Sequence, residues 1–332
     1  MRALTISLSC IATCLAVTCA NIAGADEIKW QIVTPFPDNT KPQNALTKKA
    51  REVRRSSDGR IKLQFVGTPV NANTSVMQRF ESDPALSAAL LSNFDYARLV
   101  PDANLYSQSF LFDDAKELRA IRSKLDAALI AQLQHDHYVA VGISGIGFAH
   151  LMAEDRIRTV DELAGKTVWL PGAASMAALD LAGLSLTVEI EDTRSRESKS
   201  TNADATLMVH APIALILDKK IPRFRYLLQP PIHYGYLVFL VKRSAWESLH
   251  AEDRGLIQDH LHSHLQEVEK NAAKATARAT RVLSRGGMQS IRFPIADIDD
   301  LRNDSADIGI TTSLQSQLMR ALWEYRSATK VQ

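Results

Sequence analysis

Apolar residues recur along the chain in two rhythms. Ile61, Leu63 and Phe65 alternate with Lys62 and Gln64, the period of two that marks a half-buried strand. Upstream, Ile28 to Val33 reads as a strand and Pro35 to Asn39 as a turn. Pro42 suits a first helical turn, and that helix runs to about Ser56 before the turn at Ser56-Ser57-Asp58-Gly59. Strand, helix, Asp-Gly turn and strand make a right-handed βαβ opening. Thr74 or Ser75 is placed to cap a helix through Phe80, and the Ala-rich run from Ala85 to Ser92 fits strand or helix. Asp114 to Gln134 has helical spacing, Tyr138 to Ile143 reads as a strand, and Ser144 to Phe148 reads as the loop after it. Tyr234 to Lys242 is a continuous apolar strand. Ala251 to Arg285 is a nearly unbroken helical pattern stopped by Gly286-Gly287, about 50 Å long at 1.5 Å per residue. Gln289 to Phe293 reads as a strand, and Leu314 to Ser327 as a closing helix.

Between these lies Asp161 to Pro171, Asp-Glu-Leu-Ala-Gly-Lys-Thr-Val-Trp-Leu-Pro. Thr159 and Glu162 have capping-box spacing, Gly165 suits a left-handed helix end, and Thr167 to Leu170 has the apolar run of a buried parallel strand. Pro171-Gly172 closes it, and Ala173 to Ala182 follows with helical character. Strand, tight loop and helix N-terminus is where α/β proteins place ligands. Farther on, Leu186 to Ile190 and Asp204 to His210 read as strands, Ala211 to Leu217 as a helix, and Glu191 to Asn202 as a polar loop or weak helix.

Composition adds bounds. The 332 residues suffice for two lobes with separate cores. A net charge of +2, with basic residues scattered rather than interleaved with aromatics, gives no push toward nucleic acid. Residues 1–25 read as a secretory signal: Arg2, an apolar run from Leu4 to Val17, then Ala23-Gly24-Ala25. Cys10, Cys14 and Cys19, the three cysteines of the chain, all lie in it. Removal of the signal leaves no disulfide, thiolate metal site or cysteine nucleophile. Sequence motifs of enzymes, namely GxSxG, HExxH, the P-loop and CxxC, are missing, so neither catalysis nor a cofactor is expected. His135-Asp136-His137 reads as an exposed turn, and His260, His262 and His264 as a solvated helix face rather than a metal site.

The 161–171 stretch resembles the DLKG…R-V-P signature of the periplasmic solute-binding proteins of TRAP transporters, the DctP family. Ser244-Ala-Trp-Glu-Ser-Leu-His-Ala-Glu-Asp-Arg254 resembles the family's N-K-x-(A/T)-W-x-x-L element. Weaker likenesses are Asp58-Gly59-Arg60-Ile61-Lys62-Leu63 to GGRIKV and Ser109 to Asp114 to LPFLF-(D/R)-D. The resemblance implies a two-lobe α/β periplasmic-binding-protein fold with crossing hinge strands and a long bridging helix. The expected division is residues 26–143 with 240–262 in lobe I, 144–239 with 286–332 in lobe II, and 263–285 as the bridge.

It further implies a monomer that captures a small organic ligand in the periplasm for TRAP-type membrane permease subunits. A sensor acting on a membrane receptor is the alternative. Where the family carries ligand-gripping arginines, this chain has Trp169 and Ala149. Trp169 is therefore expected as a stacking surface, with Val168 and Leu170 facing away from it. His150, Arg79 or Arg98 is the candidate replacement for the lost charge. His210 stands near a ligand-touching Asn of the family. Phe36 and Asn73 follow from the strand-to-helix loops, and Tyr236 sits on the crossing strand, facing cleft or core.

Overall fold

A computed structural model describes residues 27–69, 75–170, 184, 186–190, 205–217, 223–304 and 312–330. In chain order the strands are β1 (Ile28–Thr34), β2 (Ile61–Gly67), β3 (Leu86–Ser92), β4 (Tyr138–Ala153), β5 (Thr167–Leu170), β6 (Thr187–Ile190), β7 (Leu207–His210), β8 (Tyr226–Gln229), β9 (His233–Lys242) and β10 (Gln289–Arg292). The helices are α1 (Lys41–Ser56), α2 (Val76–Ser82), α3 (Asn93–Tyr96), α4 (Ala115–Gln132), α5 (Pro212–Leu217), α6 (Arg243–Glu247), α7 (Ala251–Arg285), α8 (Ile295–Asp304) and α9 (Thr312–Lys330). Asn73, Thr74, Pro171, the stretch Ala173 to Ala182 and all of Glu191 to Asp204 lie outside the described residues.

One curled sheet runs through both lobes in the order β2-β1-β3-β9-β4-β7-β5-β6, with β8 pairing β4 and β10 pairing β8. Lobe I is built on the parallel strands β1, β2 and β3. Lobe II is built on the parallel strands β5, β6 and β7. Both depend on β4 and β9, which pair antiparallel from Tyr138↔Lys242 to Ala149↔His233. Beyond that point β4 continues alone into lobe II, where His150 to Ala153 pair with β7.

Side-chain alternation then divides the core. In lobe I, Ile32, Ala88, Leu90, Phe239 and Val241 pack toward α1 and the first half of α7. On the other face, Val33, Leu91, Val238 and Leu240 pack toward α4 and α9. Lobe II repeats the arrangement, with Val168 and Leu170 in one apolar cluster and Trp169 in another.

Local chemistry starts two of the helices where the pattern places them. Ser75 and Gln78 form a capping box, Gln78 N–H donating to Ser75 Oγ at 3.2 Å and Ser75 N–H to Gln78 Oε1 at 3.0 Å. Asp114 accepts from Lys116 and Glu117 N–H at 2.7 and 2.9 Å and so starts α4. The 35-residue α7 has the expected bounds. It buries Ile257, Leu261 and Leu265 under lobe I and Leu283 under lobe II.

Three expectations are corrected, and two elements are new. Ser144 to Phe148 is not a loop but the middle of β4, whose glycines and bulges break the alternation that marks a strand. Thr159 caps nothing: only a short 3₁₀ turn forms at Asp161–Leu163, with Glu162 accepting from Arg158 N–H at 3.1 Å. Strand β8 and helix α8 were not foreseen, since four residues of strand against two prolines leave no readable period. His264 is buried rather than solvated on α7.

Candidate functional site

The carboxyl ends of the parallel strands in both lobes gather at the junction, the place where open α/β sheets hold ligands. On the lobe I side, β1 ends at Thr34 and β2 at Gly67. A Cβ on Gly67 would lie 2.5 Å from Phe36 O and 2.7 Å from Asp38 N, so only glycine lets the two loops meet. Asp38 accepts from Gly67 N–H at 3.0 Å, and Arg79 donates to Gly67 O at 3.1 Å. Thr34 Oγ1 donates to Gln43 at 2.7 Å. Phe36 is held at this rim, half-buried. Beside it, the hydroxyl of Thr68 is buried and has no hydrogen-bond partner.

On the lobe II side stand three histidines. His150 and His210 are register partners across β4 and β7. His233 opens β9 opposite Ala149, and its ring meets Phe94 edge-on at 5.5 Å. His150 Nδ1 lies 3.4 Å from Leu228 O, while His233 Nδ1 is buried without a partner. Burial pushes both imidazoles down to about 4, His150 adding a smaller repulsion at His233. Both rings are therefore neutral at pH 7. His210 is half-buried. A groove of about 390 Å³ opens beside His150, lined also by Phe148, Gln229, Ser290 and Arg292.

The structure thus brings His150 and His210 together and sets Phe36 on the facing rim. Trp169 occupies the same sheet face one step below the histidines: Met152, Met208 and Trp169 align in register, and His150 and His210 lie two residues on. Its indole is 2% exposed, packed with Met208, Leu215, Phe224, Leu283 and Met288. Tyr236 is fully buried; its hydroxyl donates to Ala103 O at 2.5 Å and its ring meets Tyr106. Both rings are core residues here. Arg98 is exposed on the surface.

Sequence reasoning missed Thr68, Phe94 and His233. Only His233 carried a signal, a polar residue opening the apolar run that becomes β9. Among the described residues no three groups are placed to hold a metal. What they offer is hydrogen bonding from neutral imidazole and hydroxyl groups beside aromatic edges, with the charged Arg292, Asp113 and Asp114 on the wall of the groove.

No protein-family model matches the chain, and no curated protein matches it in sequence. Solved structures do match in shape. A TRAP periplasmic solute-binding protein from Ochrobactrum anthropi, with its C-terminus bound in the ligand-binding pocket, superposes with a TM-score of 0.76 at 15% identity, over 91% of this chain and 97% of that one. One from Ralstonia eutropha, with bound (S)-2-acetolactate, gives 0.69 at 18% identity, over 89% and 99%. Another from Desulfovibrio salexigens, with bound orotic acid, gives 0.71 at 15% identity, over 90% and 98%. The chain has the two-lobe α/β fold of the TRAP periplasmic solute-binding proteins.

Proposed function

We propose that the protein is a DctP-type solute-binding protein. It captures a small organic solute between its lobes in the periplasm and passes it to TRAP-type membrane permease subunits. The observation that carries this reading is the full-length match in shape to proteins of that kind. Neighbours solved with acetolactate and orotic acid support a small organic acid as solute class. In this reading residues 1–25 direct export and are removed, consistent with a described chain in which no helix is long and apolar enough to cross a membrane. The division into lobes follows the boundaries given above, with α7 as the bridge, except that α9 packs into the core of lobe I, and the protein works as a monomer without catalysis or cofactor.

The solute contacts are proposed on Phe36, Asn73, His150 and His210, with Trp169 and Tyr236 as core residues that brace the strands beneath them. Neutral imidazoles make hydrogen bonds without supplying charge. Affinity then comes from desolvation in a closed cleft and a few placed polar groups. Thermal unfolding against a panel of small organic acids and sugars tests this. One solute at a hundredfold excess over its Kd stabilises the fold by about 2.7 kcal/mol and raises Tm by several degrees. A panel without any shift counts against capture.

A further inference from the structure

The two strands that join the lobes pair irregularly where glycines gather. Opposite Gly235 and Tyr236 of β9, β4 carries Gly145 and Gly147, and the pairing register slips at Ile146 between them. Gly147 has φ +117, a conformation that side chains rarely adopt. A second register slip lies at Val141, between Ala140 and Gly142, but the slip at Ile146 is the one with glycine on both sides, so the backbone turns most freely there.

At the same point α7 is fastened to β4. Ser144 Oγ donates to Leu265 O at 2.7 Å, and Gly145 N–H donates to Glu269 Oε2 at 3.2 Å. The other Glu269 oxygen accepts from Arg122 Nη1 of α4 at 2.6 Å. Arg122 is buried, donates to Tyr234 Oη of β9 at 2.8 Å and grips Asp126 through Nε and Nη2. A Cβ on Gly145 would fall 1.6 Å from Tyr234 Oη, so the glycine is what admits the knot. One carboxylate thereby ties the bridging helix, the lobe I helix α4 and the bulge of a crossing strand.

We propose that Glu269, through Arg122 and Gly145, is the clamp that sets the angle between the lobes. Its role is positioning: it touches no solute and acts on the pivot. The inference rests on the reading of two lobes that move about β4 and β9. Cutting the Glu269 link frees the pivot, whereas cutting Asp126, which holds Arg122 only within α4, does not.

The test is a distance measurement between spin labels placed by Lys48→Cys on α1 and Asp300→Cys on α8, with Cys10, Cys14 and Cys19 replaced by Ser. In the solute-free protein, Glu269→Gln is expected to broaden or shift the interlobe distribution beyond its wild-type width, and Asp126→Asn to leave it unchanged. An unchanged distribution in Glu269→Gln, even with a lowered Tm, overturns the clamp and leaves a helix-to-helix tether. A shifted distribution in a protein that holds no solute keeps the clamp and removes the capture reading, so the two fail separately.

Discussion

Polar groups buried around the strand crossing are treated in opposite ways. Arg122 is saturated: a carboxylate on its own helix, a carboxylate on α7 and a tyrosine hydroxyl share its guanidinium. His233, a few residues farther along the same crossing, keeps a ring nitrogen with no partner, and Thr68 keeps an idle hydroxyl across the junction. A satisfied buried network fixes geometry, whereas an unsatisfied polar atom is a standing penalty unless something else meets it. The first region reads as structural and the second as a place for a visiting molecule.

Breaking the saturated knot and its apolar neighbour gives the largest effects. Arg122→Met leaves Glu269 with only Gly145 N–H and Asp126 with only the Tyr106 hydroxyl, and is expected to lower stability by about 3 kcal/mol, the low end for removing one partner of a buried pair because both carboxylates are partly exposed. Trp169→Ala empties the centre of an apolar cluster and is expected to cost about 3–5 kcal/mol in chemical denaturation. A loss of solute affinity with little loss of stability would instead place the indole at the ligand.

The histidines give a smaller effect with a definite sign. Their values sit near 4, against 6.5 for a free imidazole. Between those values the unfolded chain binds protons that the folded chain refuses, so stability falls as pH drops from 6.5 toward 4. His233→Phe flattens that slope in melts taken across the window. The smallest change comes from Thr68→Val, which removes only an unpartnered hydroxyl. Stability should move by less than about 1 kcal/mol, while solute affinity, read by titration calorimetry, falls if this hydroxyl meets the solute.

Much of the fold was legible because the pattern is long and regular where packing is one-sided. Helix α7 could be placed to the residue between His250 and Gly286. Trp169 and its neighbours alternate as a strand must. The junction was less legible. The glycines of β4 looked like a loop because a bulged strand has no period, and α4 gave no hint that Arg122 reaches across to α7. Tyr236 and Trp169 show the limit in the candidate site. Sequence register says which residues share a face, but not whether a helix covers that face, as Leu215 and Leu283 do over Trp169.

Native mass spectrometry of the protein purified without denaturation from the cells that produce it is the most direct test of the central claim. The account predicts a mass excess equal to one small organic molecule per chain, released on unfolding and rebound on refolding. A chain that always weighs only its own residues, whatever organic acid or sugar is offered, would contradict it.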